Sequence, residues 1–158
     1  MILGLIPSRL NSSRLKEKPL LKIDGLPIIV HTLKRALLSK KINKVIVCTD
    51  DKKIYDVVRD FGGEAIITSK KHKNGTERIA EVAKKFKPKL VIDIQGDEPL
   101  VDPKDIDKVI NFHLKNKQFD IIVPSMITKK PERKNIVKVI FDRKGKVLYF
   151  SRSPIPFN

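Results

Sequence analysis

Short apolar runs alternate with longer stretches of helical periodicity along almost the whole 158-residue sequence, and this limits the fold more than any other feature. "ILGLIP" (2–7), "KVIVCT" (44–49), "EAIITS" (64–69), "KLVIDIQ" (89–95) and "DIIVPSMI" (120–127) have the length and composition of buried strands. Between them, 26–40, 51–63, 74–86 and 102–117 read as helices. Pro27 is expected at the first helical position of its helix, where a missing N–H costs little. The second helix ends on glycines, and the third opens with Asn74 and Glu77 spaced as a capping box. The fourth has Asp102 as N-cap and Pro103 at the first position. Two alternating runs around "DRKG", within 135–152, predict a β-hairpin near the C-terminus. The expected class is α/β, a mostly parallel sheet with helices on both faces. No internal repeat or low-complexity linker interrupts the chain, so one domain over 1–158 is expected.

Composition narrows the functional classes. A hydrophobic fraction of 41% suits a folded globule rather than a disordered tail. The single cysteine, Cys48, excludes a disulfide framework and a cysteine-based zinc site, and it reads as a small buried thiol. No apolar run approaches the ~20 residues of a membrane span, and the N-terminus has no secretory pattern, so a soluble cytoplasmic protein is expected. The formal net charge of +16 raises the question of nucleic acid. The lysines are spread over element ends and loops, without interleaved aromatics or any Trp, so no nucleic-acid partner is expected. A general attraction for anionic small molecules remains.

Right-handed crossovers bring the C-terminal ends of parallel strands to one edge, where ligands bind. Three chemically loaded segments follow predicted strands on that edge. The first, "PSRLNSSRLKEKPL", holds Arg9, Arg14, Lys16 and Lys18 with Ser8, Ser12 and Ser13. Cations, hydroxyls and free backbone N–H groups after a strand suit a phosphate chain. Neither "GxxxxGK[ST]" nor "GxGxxG" is present, so a Walker A site and a dinucleotide fingerprint are both set aside. The second segment, "NGTER", opens a helix whose N-terminus, with Thr76 and Arg78, suits a polar base or an anion. A plain helix cap accounts equally for Asn74 and Glu77. The third, "QGDEP", puts carboxylates at a strand end facing the cationic loop. Asp97 is the better candidate for a Mg2+ ligand, because Mg2+ takes one or two carboxylates together with substrate phosphates. His31, His72 and His113 make no metal or triad pattern, although His72 flanks "NGTER".

The order "IPSR…SSRL…KPL", "CTDD", "H-x-NGTER", "QGDEPL", "NIVKV" and "YFSRSPIPF" resembles the 3-deoxy-manno-octulosonate (Kdo) cytidylyltransferases of lipopolysaccharide synthesis, in register from residue 2 to 157. Each motif is weak alone; their order is specific. The resemblance implies a Rossmann-like nucleotide-sugar transferase fold and transfer of CMP from CTP to Kdo, an acidic sugar, with Mg2+ as cofactor. It implies that Arg9 and Lys18 bind the triphosphate, assisted by Arg14 and Ser8. It also implies that His72, Asn74, Gly75, Thr76 and Arg78 read cytosine, that Gln95 faces the sugar, that Asp97 binds Mg2+, and that Arg152 lies near the acidic sugar. Arg9, Lys18 and Asp97 would be the catalytic set. Departures fall in loops: Ser8 stands where relatives commonly carry Ala, Lys16-Glu17 where they carry Pro-Gly, and Asn74 where they carry Ser. The resemblance further implies that relatives continue past "PIPFN" with most of the Kdo pocket, a second Mg2+-binding Asp and much of the dimer contact. A chain truncated at the C-terminus is therefore expected, completed by a homodimer or a C-terminal partner chain. The alternatives are a non-catalytic nucleotide-binding module and a basic nucleic-acid-binding domain.

Overall fold

The computed structural model describes residues 1–10, 15–129, 132–133 and 135–155. Two compact units divide the chain, Met1–Asp120 and Ile121–Asn158.

In the first unit β1 (Ile2–Ser8) is followed by a short 3-10 turn, Lys18–Leu20, and by the small strands β2 (Lys22–Ile23) and β3 (Leu26–Pro27). Then come α1 (Ile28–Leu37), β4 (Lys44–Thr49), α2 (Lys52–Asp60), β5 (Ala65–Ile67), α3 (Gly75–Phe86), β6 (Leu90–Asp93) and α4 (Pro103–Lys115). The main sheet has the order β5-β4-β1-β6, with every pairing parallel. Leu3 pairs with Lys44 and Ile2 with Leu90, so β1 is central, and its last residues, Ile6–Ser8, run past the end of the β6 ladder beside β4 alone.

Alternation along the strands explains the two cores. Side chains of successive strand residues point to opposite faces. Ile6, Val45, Val47 and Ile94 meet α1, α2 and α4 through Ile29, Leu33, Ile54, Val58, Ile106 and Ile110. Leu3, Leu5, Ile46 and Cys48 meet α3 through Ile79 and Val82 on the other face. Helices therefore cover both faces, as expected. Burial pushes the Cys48 thiol up to about 12, in keeping with a small core residue.

The caps follow the sequence closely. Asp51, Asn74 and Asp102 each accept a backbone N–H at a helix start, from Lys53, Glu77 and Lys104. The reciprocal arm of the capping box departs from the simplest form: Glu77 takes the N–H of Lys73, one residue earlier than Asn74.

Two expectations are corrected. Pro27 is not inside α1 but forms its N-cap in extended conformation, as the end of β3. The cause is a two-residue Asp24-Gly25 turn, with φ of 47° and 81°, which closes β2 on β3 as a hairpin. The second correction concerns 120–127: residues 121–129 form no strand. Ile121, Met126 and Ile127 are largely exposed, so the run gains neither a ladder nor a buried face.

The second unit contains the expected hairpin, β7 (Lys138–Phe141) against β8 (Val147–Ser151), antiparallel with Gly145 at φ 81° in the turn. The buried Lys138 ammonium donates to the carbonyls of Arg133, Ile136 and Arg152 at 3.1, 2.9 and 2.6 Å. Three acceptors offset the cost of burying that charge.

Candidate functional site

The C-terminal ends of β1 and β6 and the N-terminus of α3 enclose a cleft of about 320 Å³ in the first unit. Its lining includes Ser8, Arg9, Lys18, His72, Asn74, Gly75, Arg78, Gln95 and Asp97, nine of the residues the sequence nominates. Pro7, Pro19 and Gly96 complete it. Thr76 is exposed and lies outside the lining. Arg14, with Ser12 and Ser13, falls outside the described residues. Arg152 belongs to the second unit, where its guanidinium donates to the Asn135 carbonyl at 3.3 Å.

Close backbone approach shapes the cleft floor. A Cβ on Gly96 would stand 2.8 Å from the Pro7 carbonyl oxygen, and one on Gly75 would stand 3.1 Å from the Pro7 ring. The Gly96 turn can therefore press on the end of β1 only through glycine, while a side chain at Gly75, the first residue of α3, would have to push the Pro7 ring aside by a few tenths of an ångström. The buried hydroxyl of Thr32 on α1 is shared between the Ile28 carbonyl at 3.2 Å and the Gly96 carbonyl at 3.3 Å. That second contact ties the "QGDEP" turn to a core helix. Ser8 Oγ is buried at the cleft floor with no hydrogen-bond partner among the described residues.

Lys18, Asp97, His72 and Arg78 each have a partner in or beside the cleft. Lys18, on the 3-10 turn stiffened by Pro19, pairs with Asp97 at 2.5 Å across the cleft. Gln95 donates to Asp93 at 3.1 Å, and burial of its carboxyl raises the Asp93 pKa. Arg78 is almost wholly buried. Its guanidinium donates to Thr68 Oγ1 at 2.5 Å and to Asp50 at 2.9 Å, so most of its charge is spent inside the fold. His72 stands 2.7 Å from Glu81, which also accepts the Ser69 N–H at 3.0 Å. The Ser69 N–H, with His72 second, holds the Glu81 carboxyl below the usual carboxylate range.

Glu81, Asp50, Thr68 and Thr32 were not singled out from the sequence. Glu81 follows Glu77 by four residues, which puts both on one helix face beside the His72 loop; that spacing was the available signal. Asp50 lies within the "CTDD" motif, which gave it no role, and Thr68 and Thr32 gave no signal, because their partners are 10 and 64 residues away.

The cleft can neutralise a polyanion. Lys18 and Arg9 supply cations, α3 supplies an N-terminal dipole, and Asp97 supplies one carboxylate. Residues 3–158 match the cytidylyltransferase family. The chain belongs to that family. The 3-deoxy-manno-octulosonate cytidylyltransferase of Leptospira biflexa is 45% identical over 159 residues, covering 98% of this chain and 65% of the relative. The enzyme of that name from Chlamydia pneumoniae is 42% identical, covering 99% and 64%. The solved structure of a CMP:2-keto-3-deoxy-manno-octonic acid synthetase complexed with CTP superposes with a TM-score of 0.87 at 36% identity. It covers 99% of this chain and 66% of that one. The resemblance seen in the motifs is thus borne out, and the chain spans about 65% of the length of the curated relatives it matches. Among the described residues no helix is long and apolar enough to cross a membrane, and no cluster of three or more His, Cys, Asp or Glu is placed to hold a metal.

Proposed function

We propose that this chain is the nucleotide-binding portion of a cytidylyltransferase that transfers CMP from CTP to Kdo, or a close analogue, for lipopolysaccharide synthesis. One observation carries the reading: Arg9, Lys18, Asp97 and the opening of α3 converge on one cleft, in a chain of the cytidylyltransferase family.

In the transfer, the anomeric hydroxyl oxygen of the sugar bonds to the α-phosphorus of CTP. The bond from that phosphorus to the bridging oxygen breaks, pyrophosphate leaves with the electron pair, and the hydroxyl proton passes to solvent. Such a step needs positioning and charge neutralisation rather than a covalent intermediate. Arg9 and Lys18 hold the triphosphate oxygens, with Arg14 assisting. Ser8, on the cleft lining, belongs to the nucleotide-binding set. His72, Asn74, Gly75, Thr76 and Arg78 form the base-reading segment. Arg78 serves it from below, because its guanidinium is already bound to Asp50 and Thr68. Gln95 faces the sugar.

A single exposed carboxylate fits Mg2+ that arrives with the nucleotide, since phosphate oxygens complete its ligands. Asp97 would hold the ion, which supplies neutralisation of developing phosphate charge. Residues 1–158 are read as part of one nucleotidyltransferase domain. A homodimer or a C-terminal partner chain completes the sugar site, and the reaction takes place in the cytoplasm, where CTP is made.

Titration calorimetry with CTP and Mg2+ tests the phosphate assignment. Lys18→Ala should weaken CTP binding about tenfold or more, the scale of one charge-assisted contact. Equal affinity in parent and variant would move the triphosphate elsewhere. Binding without pyrophosphate release, even with a relative's C-terminal third supplied, would favour a non-catalytic nucleotide-binding module.

A further inference from the structure

The loop between β5 and α3 is gripped from one side by two carboxylates of the helix it leads into. Glu77 Oε2 accepts the Lys73 N–H at 2.8 Å. One turn on, Glu81 Oε2 accepts the Ser69 N–H at 3.0 Å and stands 2.7 Å from His72 Nε2. A carboxylate oxygen only accepts, so His72 Nε2 carries the hydrogen. The other ring nitrogen, Nδ1, lies 3.9 Å from Glu77 Oε2, beyond hydrogen-bond reach. One oxygen of Glu81 therefore fixes both the start of the loop and the ring at its centre. That ring is only 20% exposed and lines the cleft, whereas Glu81 does not.

We propose that Glu81 is a positioning residue for nucleotide recognition. It locks the His72 ring in the Nε2–H form and holds the Ser69–Asn74 loop in its binding shape before any ligand arrives. The proposal rests on the reading of the cleft as a CTP site. It adds a residue that touches no ligand but sets the geometry of those that do. Lys85, 3.5 Å from the other Glu81 oxygen, leaves this contact in place.

The test compares the parent with Glu81→Ala and Glu81→Gln. Nitrogen-15 NMR of the His72 ring at alkaline pH, without nucleotide, reads the tautomer. CTP affinity with Mg2+ reads the loop. In the parent, Nε2 should be protonated and Nδ1 bare. Glu81→Ala should lose that preference and bind CTP roughly tenfold more weakly, the effect of one supporting hydrogen bond. Glu81→Gln keeps an accepting oxygen and should restore both within about threefold. A tautomer unchanged in Glu81→Ala overturns the proposal, whatever CTP does. So does a changed tautomer with parent-like CTP affinity, which would make Glu81 merely structural. Absence of CTP binding by a parent whose tautomer is fixed sinks the cytidylyl reading and the recognition role with it. The nucleotide-free spectrum separates that failure from failure of the Glu81 contact.

Discussion

Lys18 Nζ lies 2.5 Å from the Asp97 carboxylate, so the cation assigned to phosphate and the carboxylate assigned to metal neutralise each other across the cleft. Binding of a metal-nucleotide would exchange this contact for two others, Lys18 to phosphate and Asp97 to the cation. The two side chains are 35% and 52% exposed, so the pair itself contributes at most about 1 kcal/mol to stability. Asp97→Asn should therefore leave the melting temperature nearly unchanged while removing the Mg2+-dependent gain in CTP affinity. Calorimetry with and without Mg2+ checks this. A variant that still gains affinity from Mg2+ would take the metal role away from Asp97.

Arg78 is expected to matter first for stability. Its side chain is 4% exposed, and it bonds Asp50 and Thr68, whose hydroxyl in turn donates to the Thr49 carbonyl. Arg78→Met leaves the Asp50 carboxylate without its cation in a site only 20% exposed. A loss of about 3 kcal/mol is expected from urea denaturation, because removing one partner of a buried pair strands the other. Adding Asp50→Leu should recover part of the loss. If the single variant is as stable as the parent, the guanidinium is not held as described.

Glu81 also predicts a pH dependence. Its folded pKa lies below the ordinary 4.5, chiefly through the Ser69 N–H and then through His72. A depressed carboxylate pKa adds stability that is fully present above the unfolded value and is lost as pH falls through the folded one. The parent should therefore lose more stability than Glu81→Gln on acidification from about pH 5 downward. Parallel stability curves through the acid range would show that the Ser69 and His72 contacts do not hold the proton off.

The parallel sheet and its helices were legible because period and length agree: 44–49 is a strand in both readings, and Asp102-Pro103 opens α4 as written. Local chemistry sufficed there. The 120–127 run shows the limit, since apolar β-branched residues make a strand only where a neighbour offers a ladder. The "DG" turn at Asp24-Gly25 was readable, but its flanking strands are two residues each, too short to show alternation. In the cleft, the residues that touch its surface stood out by charge and motif. The residues that brace it did not: Thr32 holds the Gly96 carbonyl from a helix 64 positions away, and Asp50 meets Arg78 across 28. Spacing of that kind is set by topology, which no local pattern records.

The central claim is that the cleft binds CTP and reads its base. Thermal unfolding of the chain with Mg2+ and, separately, CTP, UTP, GTP and ATP tests it most directly, because a ligand of the native state raises stability by mass action. The account predicts a rise with CTP clearly larger than with the other three. No rise with any nucleotide, or equal rises with all four, would contradict it.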